Sequence, residues 1–337
     1  MSGFEENEIS KNANGGTELA KRKLGGLINP ELLKESQIIC SRLREYEPDK
    51  LRVFWCHDLP EDPESAKFKD AEFQKNIHKY IFISNWQFQR YQLFHGVKYD
   101  GKSDVIESGI EPAPQSALKK PDDGKIHIVY TSTPQRGLEI LVPVFKFLAQ
   151  NNPNIHLHVF SSFKIYGWDQ MDKQYEPLYN EIRNHPQMTY HGYTPNDELK
   201  EFLNKCHIFA YPSIWQETSC RAVLEAMSAG LVCVHTSYGA LPETSGALNI
   251  MYRGDMEDRN HHEQILAQHL GAAIQMLDSD NYQNMINFNK IYVDSRYNIN
   301  RIVGQWETML GDLKWRYPTV DSRKAKKEMF IYRTNHL

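Results

Sequence analysis

The feature that most constrains the fold of this 337-residue chain is a repeated succession of short apolar runs and amphipathic segments. Strands are expected over residues 126–130, 155–160, 188–191, 208–211 and 232–235, and helices over 138–150, 196–204 and 221–229. Regular alternation of this kind predicts a doubly wound parallel sheet. Such a sheet binds its ligands at the carboxyl ends of its strands.

The first third of the chain and its C-terminal part are patterned similarly. Strands are expected over residues 37–40, 51–56 and 80–83, helices over 18–27 and 86–94, and mostly helix over 281–313. Residues 113–124 contain two prolines and few large apolar side chains, which is typical of a linker. We therefore expect two α/β halves with a cleft between them, the usual place for a small-molecule site.

Composition excludes several classes of protein. Hydrophobic residues make up 40% and charged residues 24%, which is ordinary globular usage, and the net charge of −4 does not favour nucleic acid. No apolar run approaches the ~18–20 residues that cross a bilayer, and the acidic start of the chain is the reverse of a secretory signal. The five cysteines are odd in number and lack CxxC spacing, so we expect reduced thiols, a cytoplasmic location and no metal site.

The most informative loop follows the strand expected over residues 208–211. Glu217 precedes Thr218, Ser219 and Cys220, small residues at a helix start where open backbone N–H groups and the helix dipole suit a phosphate. Glu225 lies eight residues after Glu217, and both carboxylates can accept hydrogen bonds from sugar hydroxyls. The same spacing is compatible with helix caps followed by a solvated helix glutamate.

A second loop, after the strand at 126–130, contains Ser132, Arg136 and Gly137. Hydroxyl groups and a guanidinium at the carboxyl end of a strand suit a diphosphate, because arginine can engage phosphate oxygens bidentately. A turn with one exposed arginine is the alternative interpretation.

The first half of the chain contributes two weaker candidates. Gly15 and Gly16 would let the backbone approach a ligand closely, and Thr17 can cap the helix that follows, although an ordinary loop also explains them. His57 follows the strand at 51–56, where it would face a substrate hydroxyl or carbonyl. A structural histidine is the alternative there.

The fingerprints GxGxxG, GxxxxGK[ST], GxSxG and HExxH do not occur in the chain. Its loops, taken together and in order, instead resemble those of the GT-B fold family 4 glycosyltransferases, which are retaining enzymes that use nucleotide-sugar donors. The resemblance covers about residues 14–311, and its most specific element is E-x7-E, from Glu217 to Glu225. Supporting segments are EAMSAG at 225–230, YGALPE at 238–243, HDLP at 57–60, FISNWQ at 82–87, ESGIEP at 107–112 and TPQRG at 133–137.

This resemblance implies a fold and a domain plan. The fold would be GT-B, with two Rossmann-like doubly wound parallel-sheet domains facing a cleft and C-terminal helices crossing back. A trimmed acceptor-side domain would occupy residues 1–115, and a nucleotide-sugar donor domain residues 116–295. A helix and a basic tail, residues 296–337, would pack toward the first domain.

The resemblance also implies roles for these residues. Three are expected to be catalytic: Glu217 against the donor sugar, Arg136 on the diphosphate, and His57 facing the sugar or the acceptor. The expected donor-binding residues are Gly15, Gly16, Thr17, Ser132, Gly137, Thr218, Ser219, Cys220, Arg221 and Glu225, the last on the nucleotide ribose. Many relatives place a lysine beside the arginine on the diphosphate. This chain has Ser132 there, and we expect Arg221 to compensate.

The implied reaction needs no cofactor and no metal, and it leaves the acceptor open: a glycan, a lipid-linked precursor, a protein or a hydroxylated DNA base. Residues 314–337 carry seven basic and two acidic side chains, which suits anionic lipid headgroups or nucleic acid, or a tail packed on the first domain. Two alternative functions remain, a GT-B-fold nucleotide-sugar epimerase and a catalytically inactive sugar-nucleotide-binding subunit.

Overall fold

The computed structural model describes residues 3–4, 13–97, 101–120, 123–277 and 279–324. The chain forms two compact units, one made of residues 1–109 and 299–337 and the other of residues 110–298. Each unit is built on a sheet in which every strand pair is parallel. The α/β fold class with two parallel-sheet units, predicted from the alternating pattern, is confirmed.

The two sheets differ in size. The first unit contains the strands β1 (Ser36–Cys40), β2 (Leu51–Cys56), β3 (Lys79–Phe82) and β4 (Ser103–Val105), in that spatial order. The second contains β5 (Ile126–Thr131), β6 (Ile155–Phe160), β7 (Met188–Tyr190), β8 (Ile208–Tyr211), β9 (Val232–Thr236) and β10 (Ile250–Tyr252). Their spatial order is β10-β9-β8-β5-β6-β7.

The helices in chain order are α1 (Gly16–Leu27), α2 (Pro30–Lys34), α3 (Ala71–Asn76), α4 (Asn85–His95), α5 (Leu138–Ala149), α6 (Glu176–Arg183), α7 (Asn196–Leu203), α8 (Arg221–Ser228), α9 (Leu241–Ser245), α10 (Arg259–Met276), α11 (Asp280–Arg296), α12 (Ile299–Arg316) and α13 (Val320–Arg323). Within the described ranges, none of them is both long enough and apolar enough to span a membrane.

The core of the first unit lies on both faces of its sheet. Neighbouring residues of a strand point to opposite faces, so Phe54 and Trp55 of β2 enter different apolar clusters. Phe54 packs edge-on against Phe68, with ring centroids 5.6 Å apart. Trp55 packs against Trp306 of α12, with ring centroids 5.1 Å apart. The helix α12, from the C-terminal part of the chain, therefore completes the core of the first unit.

The second sheet has a topological switch point. The chain runs from β5 to β6 and β7 on one side, then returns to place β8 against the other side of β5. Loops that leave β5 and β8 therefore diverge from adjacent strand ends. In sheets of this kind the crevice between such loops is the usual ligand site.

Some elements were not foreseen from the sequence. The strands β4 and β10 have three residues each, too few to show a periodic pattern. The segment expected to be a linker contains a 3₁₀ turn at Gln115–Leu118 and packs within the second unit. Its Ala113 N–H donates to Ser228 Oγ at 2.8 Å, and its Lys120 Nζ donates to the Ala229 carbonyl at 2.6 Å. These bonds attach the segment to the end of α8.

The predicted basic tail is described as far as residue 324. Its first part belongs to the first unit, where Lys314 Nζ and Arg323 Nη2 each lie 2.6 Å from a carboxylate oxygen of Glu35. The ring of Tyr317 contacts the ring of His78, with centroids 4.9 Å apart. The remaining basic residues of the tail, Lys326, Lys327 and Arg333, lie outside the described residues.

Candidate functional site

The loops expected to carry chemistry in the second unit meet at the switch point. The loop after β5 contains Arg136, and the loop after β8 contains Glu217. Nη1 of Arg136 lies 2.7 Å from Oε1 of Glu217, and the two side chains are 21% and 7% exposed. Two residues 81 positions apart in the sequence thus form a largely buried ion pair at the carboxyl edge of the sheet.

The ion pair keeps the arginine charged. Burial is the largest single influence and would lower the pKa of the Arg136 guanidinium, but Glu217, Tyr211 and Tyr166 together outweigh it and raise that pKa well above its ordinary value. The guanidinium also lies 5.5 Å from the ring centroid of Trp215, and its Nη2 donates to the Tyr166 hydroxyl at 3.3 Å. A permanent positive charge therefore stands in a site that is partly shielded from water.

Glu217 has a second partner, Tyr211, the last residue of β8. The phenolic hydroxyl of Tyr211 donates to Oε1 of Glu217 at 2.6 Å. Burial and then the negative charge of Glu217 raise the pKa of Tyr211 well above its ordinary value, so the phenol keeps its proton. The carboxylate is thus oriented by two donors.

Several polar atoms of the β5 loop lack partners. Arg136 Nε, Thr133 Oγ1 and Gln135 Oε1 are buried, and none has a hydrogen-bond partner in the part of the chain that the structure describes. Buried polar atoms are nearly always paired, so three unpaired atoms within four residues require an explanation. A polar ligand bound at this loop would supply one.

Two glycines allow the loops to pack closely. Gly137 has φ of 119°, and a Cβ added there would lie 2.1 Å from the carbonyl oxygen of Pro212. Gly239 has φ of 64°, and its Cβ would lie 2.6 Å from the backbone nitrogen of Glu217. The backbone N–H of Ala240 then donates to the Glu217 carbonyl at 2.7 Å. The backbone around Glu217 is therefore held from both sides.

The helix α8 begins four residues after Glu217, at Arg221. Cys220 occupies the N-cap position and makes no side-chain cap hydrogen bond. Burial raises the pKa of the Cys220 thiol well above its ordinary value, so the thiol stays protonated. The polar group that Cys220 offers to a ligand is therefore its main-chain N–H. Thr218 and Ser219 are half-buried just ahead of the helix. This N-terminus suits an anion, because its dipole end is positive and is not capped by a side chain.

Glu225, about one turn into α8, is buried and has polar partners. Arg221 Nε donates to its Oε1 at 2.8 Å, and Asn196 Nδ2 lies 3.2 Å from both carboxylate oxygens. Arg221 thus forms an ion pair with Glu225, so its expected role as a second phosphate cation stays a prediction. Ser132 lies near the same site, its Oγ 3.5 Å from the Tyr211 hydroxyl.

The other expected site residues belong to the first unit. Gly15 and Gly16 lie at the start of α1, where a Cβ added to Gly16 would meet no atom within 4 Å, and Thr17 follows them. His57 directly follows β2, with its ring centroid 4.2 Å from that of Trp55. Burial lowers the pKa of His57 to about 3, so the imidazole is neutral at physiological pH. Contact of these residues with a donor remains a prediction.

The described residues provide no evident metal site. Among the described residues, no three or more His, Cys, Asp or Glu side chains are grouped so as to hold a metal ion. The requirement for a metal in any reaction is a separate question, and the expected independence of metals stays a prediction.

Sequence reasoning missed two residues of this site. Tyr211 was placed in a buried strand, and its polar tip at the strand's carboxyl end was the signal that could have marked it. Asn196 begins the helix expected over residues 196–204, which gave no sign of a binding role, and its side-chain amide donates to Glu225. Both residues orient a carboxylate that the sequence had already singled out.

The sequence matches one family model. Residues 110–250, less than half of the chain, match the family described as "Glycosyl transferases group 1". This segment contains Arg136, Glu217 and Glu225. No curated protein matches the chain significantly.

Many solved structures share the fold of this chain. A glycosyltransferase from Rickettsia africae ESF-5 has a TM-score of 0.63 at 16% identity, covering 92% of this chain and 84% of that one. Sucrose-phosphate synthase (tll1590) from Thermosynechococcus elongatus has a TM-score of 0.62 at 17% identity, covering 79% and 68%. Alr3699/HepE from Anabaena, solved with UDP-glucose, has a TM-score of 0.60 at 15% identity, covering 89% and 78%. At these identities the likeness establishes the fold alone, which is GT-B.

Proposed function

We propose that this protein is a retaining glycosyltransferase that moves a sugar from a nucleoside-diphosphate sugar to an acceptor hydroxyl. The observation that carries the proposal is the buried Arg136–Glu217 pair at the switch point of the second sheet. It lies in the segment that matches the glycosyltransferase group 1 family model. A fixed cation and a fixed carboxylate side by side suit a ligand with an anionic part and a polyol part.

In this proposal Arg136 holds the diphosphate. Its Nε has no partner among the described residues, and its Nη2 makes only a long bond to the Tyr166 hydroxyl. The guanidinium therefore has donors to spare for phosphate oxygens. The amides of Thr218, Ser219 and Cys220 at the start of α8, with the Ser132 hydroxyl, complete the set of donors. That hydroxyl lies 3.5 Å from the Tyr211 hydroxyl, at the same strand edge.

Glu217 would bind the donor sugar. Its contacts with Arg136 and Tyr211, within the described part of the chain, both use Oε1. Its Oε2 is thereby left to accept a hydrogen bond from a sugar hydroxyl. Glu225 would bind the ribose hydroxyls in the same way, oriented by Arg221 and Asn196. We extend the proposal to Gly15, Gly16, Thr17 and His57 of the first unit in the roles that the resemblance implies.

The proposed chemistry needs no metal. The bond between the anomeric carbon and the diphosphate oxygen breaks, and the negative charge that develops on the leaving diphosphate is stabilised by Arg136 and by the amides at the start of α8. The acceptor oxygen then bonds to the anomeric carbon from the face that the diphosphate leaves. Configuration is retained because the new bond forms on the face where the old one breaks, and a phosphate oxygen of the leaving group takes the acceptor proton.

The structures of two similar proteins support a choice of donor to test. The Anabaena protein was solved with UDP-glucose and with UDP and glucose. A pneumococcal O-GlcNAc transferase of the same fold was solved with UDP and GlcNAc. We therefore propose UDP-sugars as the first donors to test, with the acceptor a glycan, a lipid-linked precursor, a protein or a hydroxylated DNA base.

We also propose that the protein works in the cytoplasm. All five cysteines are free thiols, and four of them, Cys56, Cys206, Cys220 and Cys233, are buried. Unpaired cysteines persist best in a reducing compartment.

A thermal-shift panel of nucleotides and nucleotide sugars tests the proposal. A ligand at 100 times its dissociation constant stabilises the folded state by ~2.7 kcal/mol, which such a panel detects readily. The stabilising donor is then assayed for transfer, for hydrolysis and for release of a free epimer. The donor should no longer raise the unfolding temperature of Arg136→Ala. It should still raise that of Arg183→Ala, which removes an exposed arginine of the same unit.

Each alternative outcome is informative. Release of an epimer without an acceptor would identify an epimerase, and binding without any turnover would identify an inactive binding subunit. If no nucleotide or nucleotide sugar stabilises the protein, the assignment of this site as a donor site is wrong.

A further inference from the structure

The first unit contains a small cavity with a strongly basic lining. Its volume is about 190 Å³, and it lies where the start of β2, the end of α3 and α13 come together. The charged side chains that line it are Lys50, Arg52, Lys75, Arg323, Lys324 and Asp49. Five cations thus surround the cavity against one carboxylate, in a protein whose net charge is −4.

Arg52 is held mainly by neutral groups. Its guanidinium donates to two carbonyl oxygens, that of Glu47 at 3.0 Å and that of Asn76 at 3.4 Å, and lies 5.0 Å from the ring centroid of Tyr46. Its Nε is buried and has no hydrogen-bond partner among the described residues, and the carboxylate that lines the cavity with it is that of Asp49. Burial lowers the pKa of Arg52, so the folded protein holds this charge at a cost. An anion in the cavity would offset that cost.

Arg323, which also lines the cavity, is held rigidly. Its Nη2 lies 2.6 Å from a Glu35 oxygen, its Nη1 donates to the Asp49 carbonyl at 2.9 Å, and its Nε donates to the Tyr317 carbonyl at 3.2 Å. A guanidinium fixed by three bonds loses little side-chain entropy when it helps to hold a ligand. The guanidinium of Arg323 is therefore preorganised for binding an anion.

Two of the three lysines that line the cavity, Lys50 and Lys324, are held more loosely than Arg323. Lys50 Nζ donates to the Lys34 carbonyl, and Lys324 Nζ lies 3.4 Å from a carboxylate oxygen of Asp321, in an exposed pair. Exposed pairs of this kind contribute little energy and can exchange partners. Both ammonium groups can turn toward an anion in the cavity.

We propose that this cavity is a binding site for a small phosphate-bearing anion. Phosphate supplies up to two negative charges and several acceptor oxygens, which matches two guanidiniums surrounded by lysines better than a single carboxylate does. The cavity is smaller than the ~300–1,000 Å³ of sites for drug-sized ligands, so a phosphate group fits it and a whole nucleotide does not. All its residues belong to the first unit, so the inference does not depend on the proposed donor site.

The phosphate can come from a free metabolite or from a lipid headgroup, and the test separates the two. Isothermal titration with inorganic phosphate, against sodium chloride of equal ionic strength, compares the wild type with Lys50→Gln/Lys324→Gln. We expect the double variant to bind phosphate about tenfold more weakly or worse, because two charge-assisted contacts are lost. The control Lys173→Gln/Lys205→Gln removes two exposed lysines of the second unit and should bind as the wild type does.

Two further measurements locate the ion and its source. A crystal soaked in tungstate should show an anomalous peak between Arg52 and Arg323. Vesicles of phosphatidylglycerol, compared with phosphatidylcholine, report on headgroup binding. Binding to phosphatidylglycerol vesicles that is lost in Lys50→Gln/Lys324→Gln indicates that the phosphate belongs to a lipid headgroup. Binding of inorganic phosphate without binding to vesicles indicates a free anion.

Two results would overturn the inference. These are equal phosphate affinity in the wild type and in Lys50→Gln/Lys324→Gln, or the absence of a tungstate peak from the cavity. Should the double variant fail to fold, Lys324→Gln alone, which changes an exposed side chain, is expected to weaken binding in the same direction.

Discussion

Tyr211 ends a strand and Glu217 follows it by six residues, and the hydroxyl of the first donates to Oε1 of the second at 2.6 Å. The strand end itself therefore orients the carboxylate. Because Tyr211 is packed into the sheet core and fully buried, its hydroxyl cannot move far. The position of the Glu217 carboxylate thus depends on the packing of β8. The rigid sheet therefore limits how far this carboxylate can move.

Tyr211→Phe removes this donor and keeps the ring. A hydrogen bond to a charged group is worth ~1.5–3 kcal/mol, so we expect sugar transfer to slow about ten- to a hundredfold. Steady-state kinetics with the identified donor measures the effect. Tyr252→Phe is the matched control, because it removes another buried phenol whose partner is His262 and should leave transfer unchanged. Equal rates in wild type and Tyr211→Phe would contradict a positioning role for Tyr211.

Arg136→Ala should destabilise the protein as well as abolish donor binding. Removing one member of a buried ion pair leaves the other charge uncompensated, at a cost of about 3–5 kcal/mol. The double variant Arg136→Ala/Glu217→Gln removes both charges, and we expect it to regain most of the free energy of unfolding while staying inactive. Urea unfolding and transfer assays on the two variants measure this. If the double variant were no more stable than Arg136→Ala, the pair would not be coupled.

Gly137→Ala tests the contact between the two loops of the site. The added Cβ would lie 2.1 Å from the Pro212 carbonyl oxygen, so the Arg136 loop must shift and donor binding should be lost. Gly124→Ala is the control, because Gly124 also has a positive φ, 73°, and nothing lies within 4 Å of its Cβ. It should cost only the ~1–2 kcal/mol of left-handed backbone strain and keep donor binding. Donor titration of both variants distinguishes a clash from strain.

The stability of the second unit should depend on a chain of histidines. His158 Nε2 lies 2.9 Å from His127 Nδ1, and His158 Nδ1 lies 3.1 Å from His191 Nε2. Burial, and then the neighbouring His156, His127, His191 and Lys125, lower the pKa of His158 to about 3. The ring is neutral in the folded state and takes up a proton near pH 6.5 when the chain unfolds.

The unfolded chain therefore binds more protons than the folded one between about pH 6.5 and pH 3, and stability falls as pH falls through that window. Each such proton contributes up to ~1.4 kcal/mol per pH unit. We expect His158→Gln to flatten the slope of unfolding free energy between pH 6.5 and 4.5 by about one proton. The control His261→Gln, at an exposed histidine, should keep the slope. An unchanged slope in His158→Gln would contradict the neutral state of His158.

Most elements of the fold could be predicted because their signals are local. The buried strands from β5 to β9 and the amphipathic helices α5, α7 and α8 lie within a residue or two of their expected positions. The helix α10 was not foreseen, because histidines and alanines interrupt its apolar pattern. The segment at 113–124 has the sequence of a linker because its prolines are visible there, whereas the bonds from Ala113 and Lys120 to Ser228 and Ala229 are not.

By itself, the sequence determined that the chain alternates strand and helix. It also determined that Arg136 and Glu217 lie in loops after strands and that Glu225 lies in the helix after the second of these loops. Periodicity and turn residues act over a few positions, so they are readable without the fold. Only the tertiary structure decided that β8 lies against β5, which brings Arg136 to 2.7 Å from Glu217 and places Tyr211 beneath the carboxylate. Strand order depends on how distant segments pack together, and no local pattern along the chain encodes it.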